Sequence, residues 1–386
     1  MPAEERVVKG ASHGRALRPI PRQSTWTFAA RASTLIAGRR VFRNQIGGKG
    51  RMHVSRRRAL QMAAAAPLCF TSYSQAAEAV SDAGFVRIGG IDQWIAAHGQ
   101  DRRNPVILYL HGGPGEAQSP FLEQFLPWRR GFTVVNWDQR GAGKTFGRNG
   151  RATPDMTIDR LVEDAAEIAR LAAARFGQRK VILVGQSWGS LLGVHAIKRH
   201  SELFHAYVGT GQLVSIPAAI IDLARYARQR AAETGDTATL AALDAAAALP
   251  EPANLGAMRR ASSQWAMSPS DLPYLKVVSD FRGQPPYPAG DVADWVAGAM
   301  FSGQKLGADL TGMDLLALGL DMPVPVFIAQ GRDDHITGFE PARRYAEAIR
   351  APKKGFVATE GGHFACFTNP DAFVAALNRH VRPLAI

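Results

Sequence analysis

Val181-Ile182-Leu183-Val184-Gly185-Gln186-Ser187-Trp188-Gly189 is an apolar run that breaks into a Gly-x-Ser-x-Gly turn, and the helical run Leu191–Lys198 follows at once. Four consecutive apolar residues, two of them valine and one isoleucine, predict a strand buried on both faces. The turn leaves Ser187 standing above the end of that strand, and glycine two positions before and two after removes Cβ atoms that would collide there. The plainer reading of the same letters is a glycine-rich connector. Strand, sharp turn and helix in immediate succession are the context a nucleophilic serine requires.

Outward from this stretch, short β-rich runs alternate with helical ones. Strands are predicted at Phe85–Ile88, Gln93–Ala97, Val106–Leu110, Thr133–Asn136, Val181–Val184, Ala206–Gly209, Val324–Ala329 and Gly355–Ala358. Ile158, Leu161, Ala165, Ile168 and Leu171 fall on one helical face, and a last helix is expected from about Pro370 to Val381. The alternation predicts an α/β protein with a mostly parallel sheet and helices on both faces, its core formed by residues 80–212 and 321–386. Residues 213–320 break the rhythm: Ala-rich helical stretches (Ile216–Ala232, Thr237–Ala248) give way to Pro250, Pro252, Pro285, Pro286 and Pro288. That stretch reads as a helical cap inserted between two strands, without an internal repeat. Its aromatic residues, Trp265, Tyr274, Phe281, Tyr287, Trp295 and Phe301, are expected mostly in the cap core.

A serine hydroxyl is a weak nucleophile unless a base takes its proton and a third group orients that base. Two loops at strand ends supply candidates in the expected order: Gly331-Arg332-Asp333-Asp334-His335, then Gly361-Gly362-His363-Phe364. His363 is the expected base and Asp334 the expected acid, with Asp333 left to cap its loop. The oxyanion of acyl transfer needs donors already in place. One is the backbone N–H of Trp188, and the other is expected from the loop His111-Gly112-Gly113-Pro114-Gly115. His111 ends a strand beside glycines and is expected to brace that loop.

These segments, together with Trp137-Asp138-Gln139-Arg140-Gly141, resemble the proline iminopeptidase branch of the α/β-hydrolases over about residues 83–386. The resemblance implies the α/β-hydrolase fold with an eight-stranded, mostly parallel sheet and a cap. It implies a serine aminopeptidase with Ser187 as nucleophile, Asp334 as acid, His363 as base, and Gly113 with Trp188 in the oxyanion hole. In the family, cap glutamates hold the substrate's free amino group. Here the segment leaving the strand before the cap, Gly209-Thr210-Gly211-Gln212-Leu213-Val214, has no acid. Glu233 and Glu251 are the only glutamates in the first half of the cap, and surface solvation is the default role of each. They are the candidates for substrate binding. The expected substrate is a small molecule or short peptide, cleaved through an acyl-serine. A carboxylesterase or lactonase acting on small neutral esters is the alternative, and a noncatalytic binding protein on the same scaffold is a third. An epoxide hydrolase or dehalogenase is disfavoured, because those relatives carry Asp where Ser187 stands.

Composition narrows the remaining classes. The chain has 386 residues, 46% of them hydrophobic, and a formal charge of +13. The charge is concentrated at the front: residues 1–79 hold 14 Lys and Arg against three acids, whereas the rest is net +2. A nucleic-acid partner is therefore not expected. Gly141-Ala142-Gly143-Lys144-Thr145 resembles half a phosphate loop, but the required first glycine would fall at Asp138. His195, His200 and His205 are spaced five apart and would not share a helix face, so no metal site and no cofactor are expected. Two cysteines, Cys69 and Cys366, rule out a disulfide scaffold.

The basic front has its own anatomy. Ser55-Arg56-Arg57-Arg58-Ala59-Leu60, an apolar run from Met62 to Phe70, and Ser74-Gln75-Ala76-Ala77-Glu78-Ala79 resemble a twin-arginine export signal over residues 52–79. The apolar run is shorter than the roughly 20 residues that span a bilayer, so no stable membrane insertion is expected once the leader is removed. Residues 1–51 are Arg-rich and aperiodic, and read as a disordered extension or as sequence upstream of a start at Met52. The expected compartment is periplasmic or extracellular, reached through the export machinery.

Overall fold

The computed structural model describes residues 78–281 and 287–385. The basic extension of residues 1–51 and all but the last two residues of the signal-like segment 52–79 lie outside the described residues. Eight strands form one sheet in the order β1-β2-β4-β3-β5-β6-β7-β8. They are β1 (Val80–Ile88), β2 (Ile91–Gly99), β3 (Val106–Leu110), β4 (Thr133–Trp137), β5 (Val181–Gln186), β6 (Phe204–Thr210), β7 (Val326–Gly331) and β8 (Lys354–Thr359). β1 and β2 pair antiparallel, β2 runs antiparallel to β4, and all pairings from β4 onward are parallel.

The central strands alternate between two cores. Val106, Leu108 and Leu110 of β3, with Val181 and Leu183 of β5, join the larger cluster, while Ile107, Tyr109, Ile182 and Val184 join the other. Successive Cβ atoms on a strand point to opposite faces, so a strand covered on both sides must be apolar at every position. The larger cluster is covered by α2 (Ile158–Phe176) and α3 (Trp188–Arg199), which follow α1 (Gly143–Asn149) in the chain. Helix α2 starts where the Thr157 hydroxyl accepts the Arg160 N–H at 3.2 Å, and stops at Gly177, whose φ of +66° suits a residue without Cβ.

Between β6 and β7 the described chain builds α4 (Ile216–Thr234), α5 (Thr237–Ala247), α6 (Ala253–Ser262), α7 (Leu272–Ser279) and α8 (Val292–Thr311). After β7 come α9 (Phe339–Ala348) and, past β8, α10 (Ala365–Thr368) and α11 (Pro370–Ala376). The helix expected to run to Val381 is α-helical only as far as Ala376 and widens into a π-type turn over Leu377–Val381. Leu377 and Val381 remain buried through that turn against the second core.

The register sets the strand ends level with one another. Leu110 pairs with Gly185, Gln186 with Thr210, and Gly331 with Thr359. The loops after β3, β5, β6, β7 and β8 therefore open at one edge of the sheet, the carboxyl end, where open α/β sheets place their sites.

Candidate active site

Ser187 sits between β5 and α3 at φ 53°, ψ −121°, a conformation that a residue with a Cβ adopts only under strain. The flanking glycines explain how the turn closes. A Cβ at Gly185 would lie 2.3 Å from the Gly189 carbonyl oxygen, and one at Gly189 would lie 2.1 Å from that of Leu110. The Ser187 N–H donates to the Thr210 carbonyl at 3.1 Å, which ties the turn to the end of β6. As the cap of α3, Ser187 is followed by Trp188, whose N–H is one of the first-turn donors that a helix leaves without an internal acceptor.

His363 and Asp334 come to the same edge from loops after β8 and β7. His363 Nδ1 lies 3.0 Å from Asp334 Oδ2, with the aspartate fully buried and the histidine 4% exposed. Asp334 Oδ1 accepts from the Ile336 and Thr337 N–H groups at 3.0 and 3.1 Å, and Oδ2 from Gln330 Nε2 and the Thr337 hydroxyl, each at 2.7 Å. Burial pushes the Asp334 carboxyl up, but the His363 charge and these hydrogen bonds outweigh it and hold it below the usual carboxylate range. Burial pulls His363 down in turn, and the charge and hydrogen bond of Asp334 reverse that, leaving it above the ordinary imidazole value. Asp333 is exposed and takes no part in this network. A Cβ at Gly211 would fall 2.9 Å from His363 Cε1, and one at Gly112 would fall 3.2 Å from Ser187 Cβ. The serine, the histidine and the glycine loop thus converge on the ends of β3, β5 and β6.

The loop His111–Gly115 is held from below. His111 is fully buried, and burial holds it down to about 4, so it is neutral. Its Nε2 accepts the Gln139 N–H at 3.2 Å, which leaves Nδ1–H to donate to the Gly112 carbonyl at 2.8 Å. Gln139 also donates to the His111 carbonyl at 3.1 Å and accepts from Trp188 Nε1 at 3.0 Å, joining the loop to the first residue of α3. Gly113 has φ +112° and is exposed. A Cβ at Gly115 would lie 2.8 Å from Ala299 Cα and from Ser302 Cβ, so α8 of the cap rests directly on this loop.

The rest of Trp137–Gly141 fastens the scaffold. Arg140 and Asp164 are fully buried and paired through Nε at 2.8 Å, and Arg140 also donates to the Gly89 and Pro154 carbonyls at 2.7 and 3.0 Å. Asp138 is fully buried and accepts from the Ser119 and Tyr287 hydroxyls and, at 2.9 Å, from the Lys144 N–H. Tyr287 belongs to the stretch between α7 and α8, so this carboxyl pins the cap to the core.

Three side chains at the site carried no assignment from sequence. Gln186 places its amide nitrogen 3.2 Å from His363 Nε2, donating to the ring nitrogen that Asp334 leaves unprotonated. Asp271, just before α7 in the cap, accepts the His363 and Phe364 N–H groups at 2.9 Å each and so fixes the histidine loop. Glu116 follows directly on the glycine loop and its charge acts on His363. Of these, only Gln186 and Glu116 stood beside a motif; Asp271 is 92 residues from its partner.

Glu233 and Glu251, the sequence candidates for holding substrate, are not brought to this site. Glu233 is exposed at the end of α4 and pairs with Arg230 and Gln229, and Glu251 is exposed in the loop between α5 and α6. Of the cap aromatics, Tyr274, Phe281, Tyr287 and Phe301 are buried, while Trp265 and Trp295 are partly exposed. Cys366 is buried, and burial holds its thiol well above the usual range. Among the described residues no cluster of His, Cys, Asp and Glu has metal-binding form, and no helix is long and apolar enough to cross a membrane.

Residues 105–370 match the family model of the alpha/beta hydrolase fold. The chain belongs to the α/β-hydrolase family. A probable aminopeptidase of Bacillus subtilis, YbaC, is 26% identical over 315 residues, covering 76% of this chain and 94% of the relative. A probable proline iminopeptidase of Streptomyces coelicolor is 32% identical over 113 residues, covering 29% of this chain and 34% of the relative. A solved proline iminopeptidase-related protein from Thermus thermophilus superposes with a TM-score of 0.57 at 21% identity, over 79% of this chain and 99% of that one. At that identity the superposition shows the fold. The sequence relatives are named as aminopeptidase and proline iminopeptidase, and with the family match they make this α/β-hydrolase a hydrolase.

Proposed function

We propose that the protein is a serine hydrolase acting through an acyl-enzyme, and that it is an aminopeptidase of proline iminopeptidase type, releasing an N-terminal residue from a short peptide or small amide. The observation that carries this is the meeting of the strained Ser187 turn with the buried Asp334–His363 pair at one edge of the sheet. In this scheme Ser187 Oγ attacks the carbonyl carbon as His363 Nε2 takes its proton, and Asp334 stabilises the imidazolium while keeping Nδ1–H pointed inward. The negative oxygen that develops is received by the N–H groups of Trp188 and Gly113. His363 then hands its proton to the leaving amine, and a water activated by the same nitrogen hydrolyses the acyl-serine. Gln186 holds Nε2 in the resting chain, so substrate binding must exchange that amide for the serine hydroxyl; such contacts commonly tighten only in the substrate complex.

The aminopeptidase assignment is supported by the B. subtilis relative and by the resemblance of His111–Gly115, Trp137–Gly141 and Gly185–Gly189 to the proline iminopeptidase branch. A carboxylesterase or lactonase is the second reading, favoured by the outward placement of Glu233 and Glu251. A noncatalytic binding protein is opposed by the complete Ser, His and Asp set. Rates on a prolyl-arylamide, an alanyl-arylamide and a short-chain aryl ester separate them: an aminopeptidase prefers one of the arylamides, and an esterase turns over only the ester. Export is inferred from the paired Arg56-Arg57 ahead of the short apolar run. Replacing both with Lys should leave the precursor inside with its leader attached, and unchanged export would count against it.

A further inference from the structure

Building on the aminopeptidase assignment, we propose that Glu116 is the carboxylate that receives the substrate's free α-ammonium group. The requirement comes from substrate geometry. In an N-terminal residue the α-nitrogen is two bonds from the scissile carbonyl carbon, about 2.5 Å away from standard bond lengths and angle. A group that binds the ammonium must therefore stand beside the oxyanion donors. Glu233 and Glu251 do not meet that condition, being exposed on the cap.

Glu116 does. The glycine loop folds back so that the Glu116 N–H reaches the Gly112 carbonyl at 3.3 Å. A Cβ at Gly113 would lie 2.8 Å from Glu116 N and 3.3 Å from its Cγ, so the glutamate stem lies directly against the proposed oxyanion donor. The residue is exposed, while Gly115, Ala117 and Gln118 around it are buried. Neighbouring protein nevertheless desolvates the carboxyl enough to raise its pKa, and its charge acts on His363 and on Tyr274 of the cap.

The carboxylate is also unspent. Asp334, Asp138 and Asp271 each have their oxygens taken by hydrogen-bond donors. Among the described residues Glu116 has no hydrogen bond or ion pair to its carboxylate, so its oxygens are available to a ligand. An incoming ammonium supplies the missing partner, through a charge-assisted hydrogen bond. The substrate class this selects has a free primary or secondary amine α to the scissile carbonyl. N-acylated analogues, which lack the positive charge, are disfavoured.

The test compares one aminoacyl-arylamide with its N-acetylated form, in the wild type and in Glu116→Gln. The expected result is a wild-type preference for the free amine, measured as the ratio of kcat/KM values, that falls by roughly tenfold to a hundredfold in the variant, the range for losing one charge-assisted hydrogen bond. A circular-dichroism melt reports whether the variant is folded. If it is not, Glu116→Ala carries the same readout. A ratio that stays at the wild-type value in a folded variant overturns the role of Glu116 and leaves the aminopeptidase assignment standing. A wild type that hydrolyses neutral aryl esters and neither arylamide overturns both.

Discussion

Replacing Asp334 with Asn keeps the shape of the side chain and removes its charge, and the donors around it set the cost. In the native chain every donor aimed at Asp334 finds an oxygen: two backbone N–H groups on Oδ1, and Gln330, Thr337 and His363 on Oδ2. An asparagine amide must turn its NH2 toward one of these sets. Facing the Oδ1 side, it opposes the Ile336 and Thr337 N–H groups, a loss of about 1–3 kcal/mol for buried donors left unpaired. Facing the Oδ2 side, it opposes Gln330 Nε2 and forces the proton of His363 from Nδ1 to Nε2, the wrong tautomer for a base. That tautomer costs on the order of 10⁴ in kcat, about 5.5 kcal/mol of transition-state stabilisation. The pH profile adds a second readout. His363 must be neutral to act as base, and Asp334 holds its pKa above the ordinary value. Losing that charge should move the acid limb of kcat/KM to lower pH. Asp333→Asn, an exposed change, should leave both rate and limb nearly where they were. Steady-state kinetics across pH on both variants checks this. An Asp334→Asn enzyme retaining more than about a tenth of wild-type kcat, or an equal loss in Asp333→Asn, would refute the assignment of the acid.

Two further outcomes concern the scaffold. Arg140→Met strands Asp164 in the core with only Arg160 and Gln93 to oppose it, and should lower unfolding free energy by about 3–5 kcal/mol in urea titrations. The double variant Arg140→Met/Asp164→Leu should recover most of that loss, and a double variant as unstable as the single one would contradict the pairing argument. Burial pushes Asp138 up to about 7 against 3.8 when unfolded, with Lys144 opposing the shift and Asp291 adding to it. Between about pH 4 and 7 the folded chain therefore holds a proton that the unfolded chain has lost, and stability falls as pH rises, by at most about 1.4 kcal/mol per pH unit. Asp138→Asn, whose amide can still donate to the Ser119 oxygen and accept from Lys144 and Tyr287, should flatten that decline; an unchanged slope in urea titrations across the window would overturn it.

All eight strands were legible in the sequence because the central ones are buried on both faces and must read as unbroken apolar runs. The exceptions lie at the antiparallel edge. Over Val80–Gly84 of β1 only Val80 and Gly84 are buried, and the polar Ser81 and Asp82 stand between them, so that half of the strand does not read as an apolar run. The Ser187 turn and the histidine loop were legible because each is determined by residues adjacent in sequence. The sequence favours Asp334 over Asp333, and the physical reason appears only in the backbone, which turns Asp334 inward onto the Ile336 and Thr337 N–H groups. Contacts between distant segments left no local trace. Asp271 reaches His363 across 92 residues, and Tyr287 reaches Asp138 across 149. Glu116 stands beside a recognisable motif, yet its significance depends on the absence of a partner, which only the packed chain reveals.

The most direct test of the account is covalent labelling of Ser187. A fluorophosphonate probe should phosphonylate the wild-type protein at that residue, and Ser187→Ala should lose labelling together with turnover, on the order of 10⁶ in kcat, while melting close to the wild type. Labelling or turnover that persists undiminished in a folded Ser187→Ala protein would contradict a serine mechanism on this scaffold.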